Sequence, residues 1–218
     1  MPDTKIPDDP AASALAGTEL LAGVQSAANV KITAAQIATY VRSLIGGRHA
    51  VPIMAGAMRP SVSGGCAPLA AVASAADQPD ILTLDFDATT QEFAQFAIPM
   101  PKSWDEGTLT FVPVWSHAAT TTNFGVVWQL QAVAVSNDDA IAVAYGTAQT
   151  STDTGGTTND LYVGPESAAI TVAGMPQAED FVYFRVARVP GDAADTLAVD
   201  ARLLAIVVFI NTNAETDA

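Results

Sequence analysis

Apolar and polar positions change rhythm twice along the chain. From about residue 79 to 213 they fall into eight or nine short apolar runs, several alternating with a period of two, divided by turn residues, a pattern of strands and turns. Asp80 to Asp87 and Glu92 to Pro99 open the series. Thr108 to Ser116 is a third run, in which Pro113 predicts an edge or a bulge because it has no N–H for the ladder. Phe124 to Ser136 is the longest. Val126, Trp128, Leu130, Ala132 and Ala134 share one of its faces, and Val127, Gln129, Gln131, Val133 and Val135 share the other, which predicts a central strand at an interface. Ile141 to Tyr145, Leu161 to Val163, Ala169 to Val172, Asp180 to Val189 and Ala201 to Ile210 complete the series. In the Asp180 run, Phe181, Tyr183, Arg185 and Ala187 lie opposite Val182, Phe184, Val186 and Arg188. The polar stretch Thr147 to Asn159 reads as an exposed loop and a contact surface. The fold class expected is mainly β, with a C-terminal antiparallel β-sandwich that is jelly-roll-like.

The rhythm is helical only once. Thr18 to Gln25 and Asn29 to Ile32 predict a short hairpin, and then Thr33 and Gln36 form a capping box, with Ile32 and Ile37 at the staple positions. A helix is predicted from about Ala34, with Ile37, Val41, Leu44 and Ile45 at helical spacing, Tyr40 widening the stripe and Gly46-Gly47 ending it. One helix and one hairpin cannot bury that stripe alone, so a partner surface or sister chains should cover Ile37, Tyr40, Val41 and Leu44. Between helix and head, Pro52, Pro60, Gly64-Gly65, Pro68 and many alanines show no sustained period. The expected organisation is a small N-terminal α/β adaptor at 1–46, an extended Ala/Gly/Pro-rich connector at 47–78, the sandwich head at 79–213 and a C-terminal tail at 214–218.

Composition narrows the function classes. A net charge of −14 repels phosphate backbones and anionic lipid, so no nucleic acid partner is expected. Cys66 is the lone cysteine, which rules out an intrachain disulfide and a cysteine zinc site within one chain. Met1 to Pro10 is acidic and proline-containing, unlike a signal peptide, and no run approaches 18 apolar residues, so no membrane insertion is expected. His49 and His117 lack metal-ligand neighbours, Ser116 and His117 point to opposite faces of a strand, and no nucleophile elbow is present. Asp105, Glu106, Asp138, Asp139 and Glu166 are the carboxylates that glycan hydrolysis could use, though all lie in turn-like segments. Acidic turns at Asp85/Asp87, Asn137-Asp138-Asp139 and Asp192/Asp195 lack the calcium-loop spacing. Trp104, Trp115 and Trp128, with Tyr145 and Tyr162, could stack on sugar rings if exposed, but tryptophans on strands more often belong to the core or a subunit interface. No cofactor, metal or catalytic residue is expected.

Two strings carry a family resemblance. "G-T-E-L" leading into "V-K-I-T-A-A-Q-I-A-T-Y-V" resembles a segment near the N-terminus of phage tail-fibre and other virion proteins. "F-A-I-P-M-P-K-S-W-D-E-G-T-L-T-F", "G-V-V-W-Q-L-Q-A-V-A-V-S", "A-Y-G-T-A" and "D-A-R-L-L-A-I" resemble a domain of phage and prophage structural proteins. The resemblance implies a non-enzymatic virion protein, a homotrimeric head or tail fibre or spike. Its N-terminus would dock to phage head or tail proteins, and its head would present loops to a host surface receptor, a glycan. Thr152, Asp153, Asn159, Asp138 and Asp139 are the candidate receptor-facing residues. The competing functions are a capsid decoration protein and a carbohydrate-processing enzyme.

Overall fold

The computed structural model describes residues 20–25, 28–45, 47–118, 124–214 and 216–217. The chain divides into two compact units, Met1–Gly46 and Gly47–Ala218. In the first, β1 (Leu20–Gln25) pairs antiparallel with β2 (Ala28–Thr33), and α1 (Ala34–Ile45) follows directly. The capping box is formed in both directions: Gln36 N–H donates to Thr33 Oγ1 at 3.1 Å, and Thr33 N–H donates to Gln36 Oε1 at 2.8 Å. Ile37, Tyr40 and Val41 are exposed on this helix. Gly46 lies outside the described residues, as do residues 1–19, among them Thr18 and Glu19 of the expected hairpin.

The second unit is a β-sandwich. Its strands are β3 (Arg48–Met54), β4 (Arg59–Pro60), β5 (Ala70–Val72), β6 (Ile81–Phe86), β7 (Phe93–Pro99), β8 (Thr110–His117), β9 (Phe124–Val135), β10 (Gln149–Gly155), β11 (Tyr162–Val163), β12 (Phe181–Arg188) and β13 (Ala201–Asn211). One sheet runs β10-β9-β12-β7-β4, the other β11-β8-β13-β6-β5, and β3 adds to β13 beyond the end of β6. Neighbours in sequence such as β6, β7, β8 and β9 alternate between the sheets, and all strand pairings are antiparallel, as in a jelly roll. Alternate residues turn inward. Leu84, Phe86, Phe111, Trp115, Leu203 and Val208 from one sheet meet Phe96, Val126, Trp128, Leu130, Phe184 and Val186 from the other. Phe96 stacks on Phe184 at 4.8 Å between centroids, and Phe86 meets Trp128 edge to face at 5.2 Å. Each such side chain stabilises the fold by about 1.5–3 kcal/mol through burial.

The sandwich begins earlier than the sequence predicts. Residues 47–78 are not a free connector: β3 runs along seven residues of β13, β4 pairs with β7 and β5 pairs with β6. Val51 and Ile53 pack on the core, while Ala50, Pro52 and Met54 turn outward, an alternation that the prolines and alanines disguise. The polar stretch 147–159 is also misread as a loop. Gln149–Gly155 is an edge strand along β9, with Thr150, Thr152 and Thr154 outward and Ser151, Asp153 and Gly155 inward. Thr is β-branched and suits a strand even when the whole segment is polar. Conversely, Ile141 to Tyr145 is no strand, and Ala169 to Val172 contributes an isolated bridge from Ile170 to Leu109. Pro113 sits inside β8, between β13 and the short β11. Its carbonyl accepts from Gly164 N–H at 2.9 Å, so its donor-less nitrogen faces the side where pairing is already sparse.

Cys66 is buried, and burial pushes its thiol up to about 12, with Glu92 adding to the rise. At pH 8 the thiolate fraction is then on the order of 10⁻⁴. Iodoacetamide is expected to leave Cys66 unmodified in the native protein at pH 8 and to alkylate it once urea unfolds the sandwich. Mass spectrometry reads both states, and full labelling of the native chain would refute the burial.

Candidate functional site

The five-stranded sheet has an outer face built by register. Arg59 on β4 stands opposite Gln95 on β7, Gln95 opposite Arg185 on β12, and Arg185 opposite Gln131 on β9. Four strands thus align Arg-Gln-Arg-Gln in one row, at roughly 5 Å per step. Tyr183 lies one step along β12 on the same face, and Phe181 a further step. Arg185 is held rigidly. Its Nε and Nη2 donate to Gln131 Oε1 at 3.0 and 2.7 Å, and its guanidinium lies 4.5 Å from the Phe93 ring centre and 4.9 Å from that of Tyr145. Gln131 is fixed in turn by donating Nε2–H to the Gly146 carbonyl at 2.8 Å. Gly146 itself packs closely on neighbouring backbone, where a Cβ would stand 2.8 Å from the Thr171 carbonyl oxygen.

Two depressions open on this row. One, of about 250 Å³, is lined by Arg59, Gln95, Ala97 and Tyr183; the other, of about 460 Å³, by Arg59, Ser61, Phe93, Gln95 and Arg185. Among the described residues, no carboxylate lines either. The other arginines described in the sandwich are neutralised: Arg48 pairs with Glu166, Arg188 with Asp195 and Arg202 with Asp85. The Arg59 side chain makes no hydrogen bond or ion pair among the described residues, and that of Arg185 makes none with an acid. Burial raises the Tyr145 hydroxyl, and Arg185 and Arg59 oppose the rise. A half-buried tyrosine beside fixed guanidinium and amide groups can stack on an apolar ring face and donate hydrogen bonds at its edge.

The six-stranded sheet has an outer face of another kind. Met54, Ala205, Val114 and Val163 form one cross-strand row, Pro52, Val207 and Val112 the next, and Ala50, Phe209 and Thr110 a third. Met54 and Val163 are 59% and 63% exposed, so no other described residue covers this end of the face. Strand spacing gives it an extent of roughly 300–400 Å², enough to serve as a contact surface. Its charged borders are internally neutral: Arg48 lies over the Phe209 ring and pairs with Glu166, and Arg202 faces Asp85 at 3.8 Å.

The sequence candidates are scattered. Asp138 and Asp139 sit in the turn after β9, and Asn159 lies beyond Gly155, which pairs with Phe124 at the opposite end of that strand. Twelve residues of strand separate those ends by roughly 35–40 Å. Thr152 is exposed on β10, whereas Asp153 turns inward and accepts from Trp115 Nε1–H at 2.9 Å. The five do not form one surface. Ile37, Tyr40 and Val41 share the exposed helix face, and Leu44 lies in the same helix with its side chain outside the described residues.

Trp104, Trp115 and Trp128 are wholly buried and so belong to the core. His117 ends β8 fully buried, with its ring 4.6 Å from Phe124 and 5.7 Å from Tyr162. The acidic turns are spent on local bonds. Asp87 accepts from Thr89 and Thr90, which holds its carboxyl down at about 2, and Asp139 accepts from Ser136 N–H. Glu166 accepts from Thr110 and Arg48, which lower it below the usual carboxylate range. Sequence reading placed Tyr183 with Arg185 and Gln131 on strand faces, but nothing in the sequence signals that these faces coincide or that Arg59 and Gln95 join them.

No protein-family model and no curated protein matches this sequence. Among solved structures, similarity is found to the CBM36-1 domain of a multidomain xylanase from the hindgut metagenome of Trinervitermes trinervoides, at 9% identity, 73% of this chain, 96% of that chain and a TM-score of 0.37. A carbohydrate-binding module, CBM28, specific for non-crystalline cellulose matches at 13% identity, 70% of this chain, 83% of that one and a TM-score of 0.40. The family 11 carbohydrate-binding module of Clostridium thermocellum, in complex with a β-1,3-1,4-mixed-linked tetrasaccharide, matches at 9% identity, 79% and 91% coverage and a TM-score of 0.33. Similarity at this level assigns no ligand to this chain.

Proposed function

We propose that this chain is a non-enzymatic virion fibre or spike protein whose sandwich binds a host-surface glycan on the outer face of its five-stranded sheet. The observation that carries the binding role is the pinned Arg185 between Phe93 and Tyr145, with Tyr183, Gln95 and Arg59 around two open depressions. Saccharides offer hydroxyls for directional hydrogen bonds and ring faces for stacking, and the row supplies both partners without nearby carboxylates to compete. The receptor surface is then a sheet face and not the turns at Asp138, Asp139 and Asn159. The N-terminal unit docks to the particle through the helix face of Ile37, Tyr40, Val41 and Leu44, whose described members are exposed. Three copies assemble through the apolar outer face of the other sheet, where paired charges spare the contact the repulsion that a net charge of −14 imposes elsewhere.

Particles carrying Tyr183→Ala are expected to form normally and to adsorb to host cells at least about tenfold less, since stacking and its bordering hydrogen bonds each add a kilocalorie or so. Tyr183 faces outward, so its removal leaves the core intact. Unchanged adsorption, or particles that never contain the chain, would overturn the proposal.

A further inference from the structure

We infer that the saccharide held on the five-stranded sheet is acidic, with its carboxylate taken by Arg185 and Arg59. The inference rests on the glycan reading of that face and narrows its ligand class. The chain carries 23 acidic against nine basic residues, yet the row Arg59-Gln95-Arg185-Gln131 places two guanidinium groups about two strand spacings apart with no acid lining the depressions between them. In a chain this acidic, an uncompensated pair of arginines is the exception, and Arg48, Arg188 and Arg202 show what the other arginines of this sandwich do with theirs.

The geometry leaves donors to spare. Gln131 takes Nε and Nη2 of Arg185, which orients the fork and leaves Nη1 without an acceptor among the described residues. The Phe93 and Tyr145 rings lie 4.5 and 4.9 Å from the guanidinium carbon and neither is an acceptor that takes Nη1, which stays available for a planar anion. Gln95 donates Nε2–H to Ser61 Oγ at 3.0 Å, so its Oε1 remains to accept a sugar hydroxyl between the two cations. A carboxylate on a pyranose is planar, matches the guanidinium fork, and sits at the ring's edge while the ring face lies on Tyr183. The net charge of −14 disfavours an anion at long range. Beyond roughly 10 Å at 0.1 M salt that field is screened, so the two arginines decide the contact inside the groove.

The test is a calorimetric titration of the full chain with three pairs of probes: oligogalacturonate, oligomannuronate and sialyllactose, each beside its methyl ester, with galactotriose as a neutral control. The ester keeps ring, linkage and shape and removes only the charge. In at least one pair the acid is expected to bind about tenfold or more tighter than its ester, and Arg185→Gln and Arg59→Gln to abolish that difference. Tyr183→Ala is expected to weaken acid and ester alike. If acid and ester, or the neutral control, bind equally, the acidic inference fails and the glycan reading stands. If no saccharide binds, the glycan reading itself fails.

Discussion

Replacing Arg188 by alanine is expected to destabilise the sandwich by about 3–5 kcal/mol, the cost of leaving a buried carboxylate without its cation. Arg188 falls on the inward face of β12, in series with Val182, Phe184 and Val186, and is wholly buried. It forks onto Asp195 with Nε and Nη2, at 3.0 and 2.7 Å, and donates to the carbonyls of Val199 and Leu197. Asp195 in turn accepts from Val127 N–H at 3.1 Å, so one ion pair ties the crossover after β12 to the first part of β9. Gly125 permits the approach, because a Cβ there would stand 2.0 Å from the Ala194 carbonyl oxygen. With a urea m-value of about 1–3 kcal/mol/M, the unfolding midpoint should fall by at least about 1 M. Asp195→Ala should cost a similar amount. The double change Arg188→Met with Asp195→Leu should cost clearly less than the two single losses together, since it removes both charges from the interior. A midpoint for Arg188→Ala within roughly 0.2 M of the parent would show that the pair contributes nothing to stability.

The same residue shows how far the sequence can be read. Alternation placed Arg188 with the apolar side of its strand, and burial follows from that, but its partner lies in a turn whose Pro190, Gly191 and Asp192 signal only that the chain bends. Strands with an apolar face were legible because a period of two is a local property. β10 was not, because its inward positions are Ser151, Asp153 and Gly155, and Asp153 is held inward by the Trp115 indole, a partner far off in the sequence. β3 was hidden by Pro52, which an edge position tolerates since its nitrogen need not donate. The capping box was legible to the residue, being a contact over three positions. The candidate site was not: Arg59, Gln95, Gln131 and Arg185 lie up to 126 positions apart by their numbers and meet only through the registers of β4, β7, β12 and β9. Face and residue type are written locally; register between distant strands is a product of the whole core.

Substituting Val207 by aspartate is expected to turn the proposed trimer into a monomer of 22.4 kDa without unfolding it. Val207 is the centre of the apolar face on the six-stranded sheet, with Pro52 opposite on β3 and Val112 opposite on β8. In a lone chain this position points away from the core, and aspartate there would be solvated at little cost. In an assembly built on this face, each copy would bury a carboxylate, and the bordering Arg48 and Arg202 are both already engaged with acids. Burying several unpaired charges about one axis costs far more than a face of roughly 300–400 Å² can return at about 25 cal/mol per Å². Light scattering on the full chain should therefore give about three times the monomer mass for the parent and the monomer mass for Val207→Asp, with thermal melting confirming a folded sandwich. Thr152→Asp, on the outer side of β10, is the matched control and should leave the mass unchanged. A Val207→Asp chain that keeps the parent's mass would place the assembly contact elsewhere, and a monomeric parent would leave the apolar face to a partner other than a second copy.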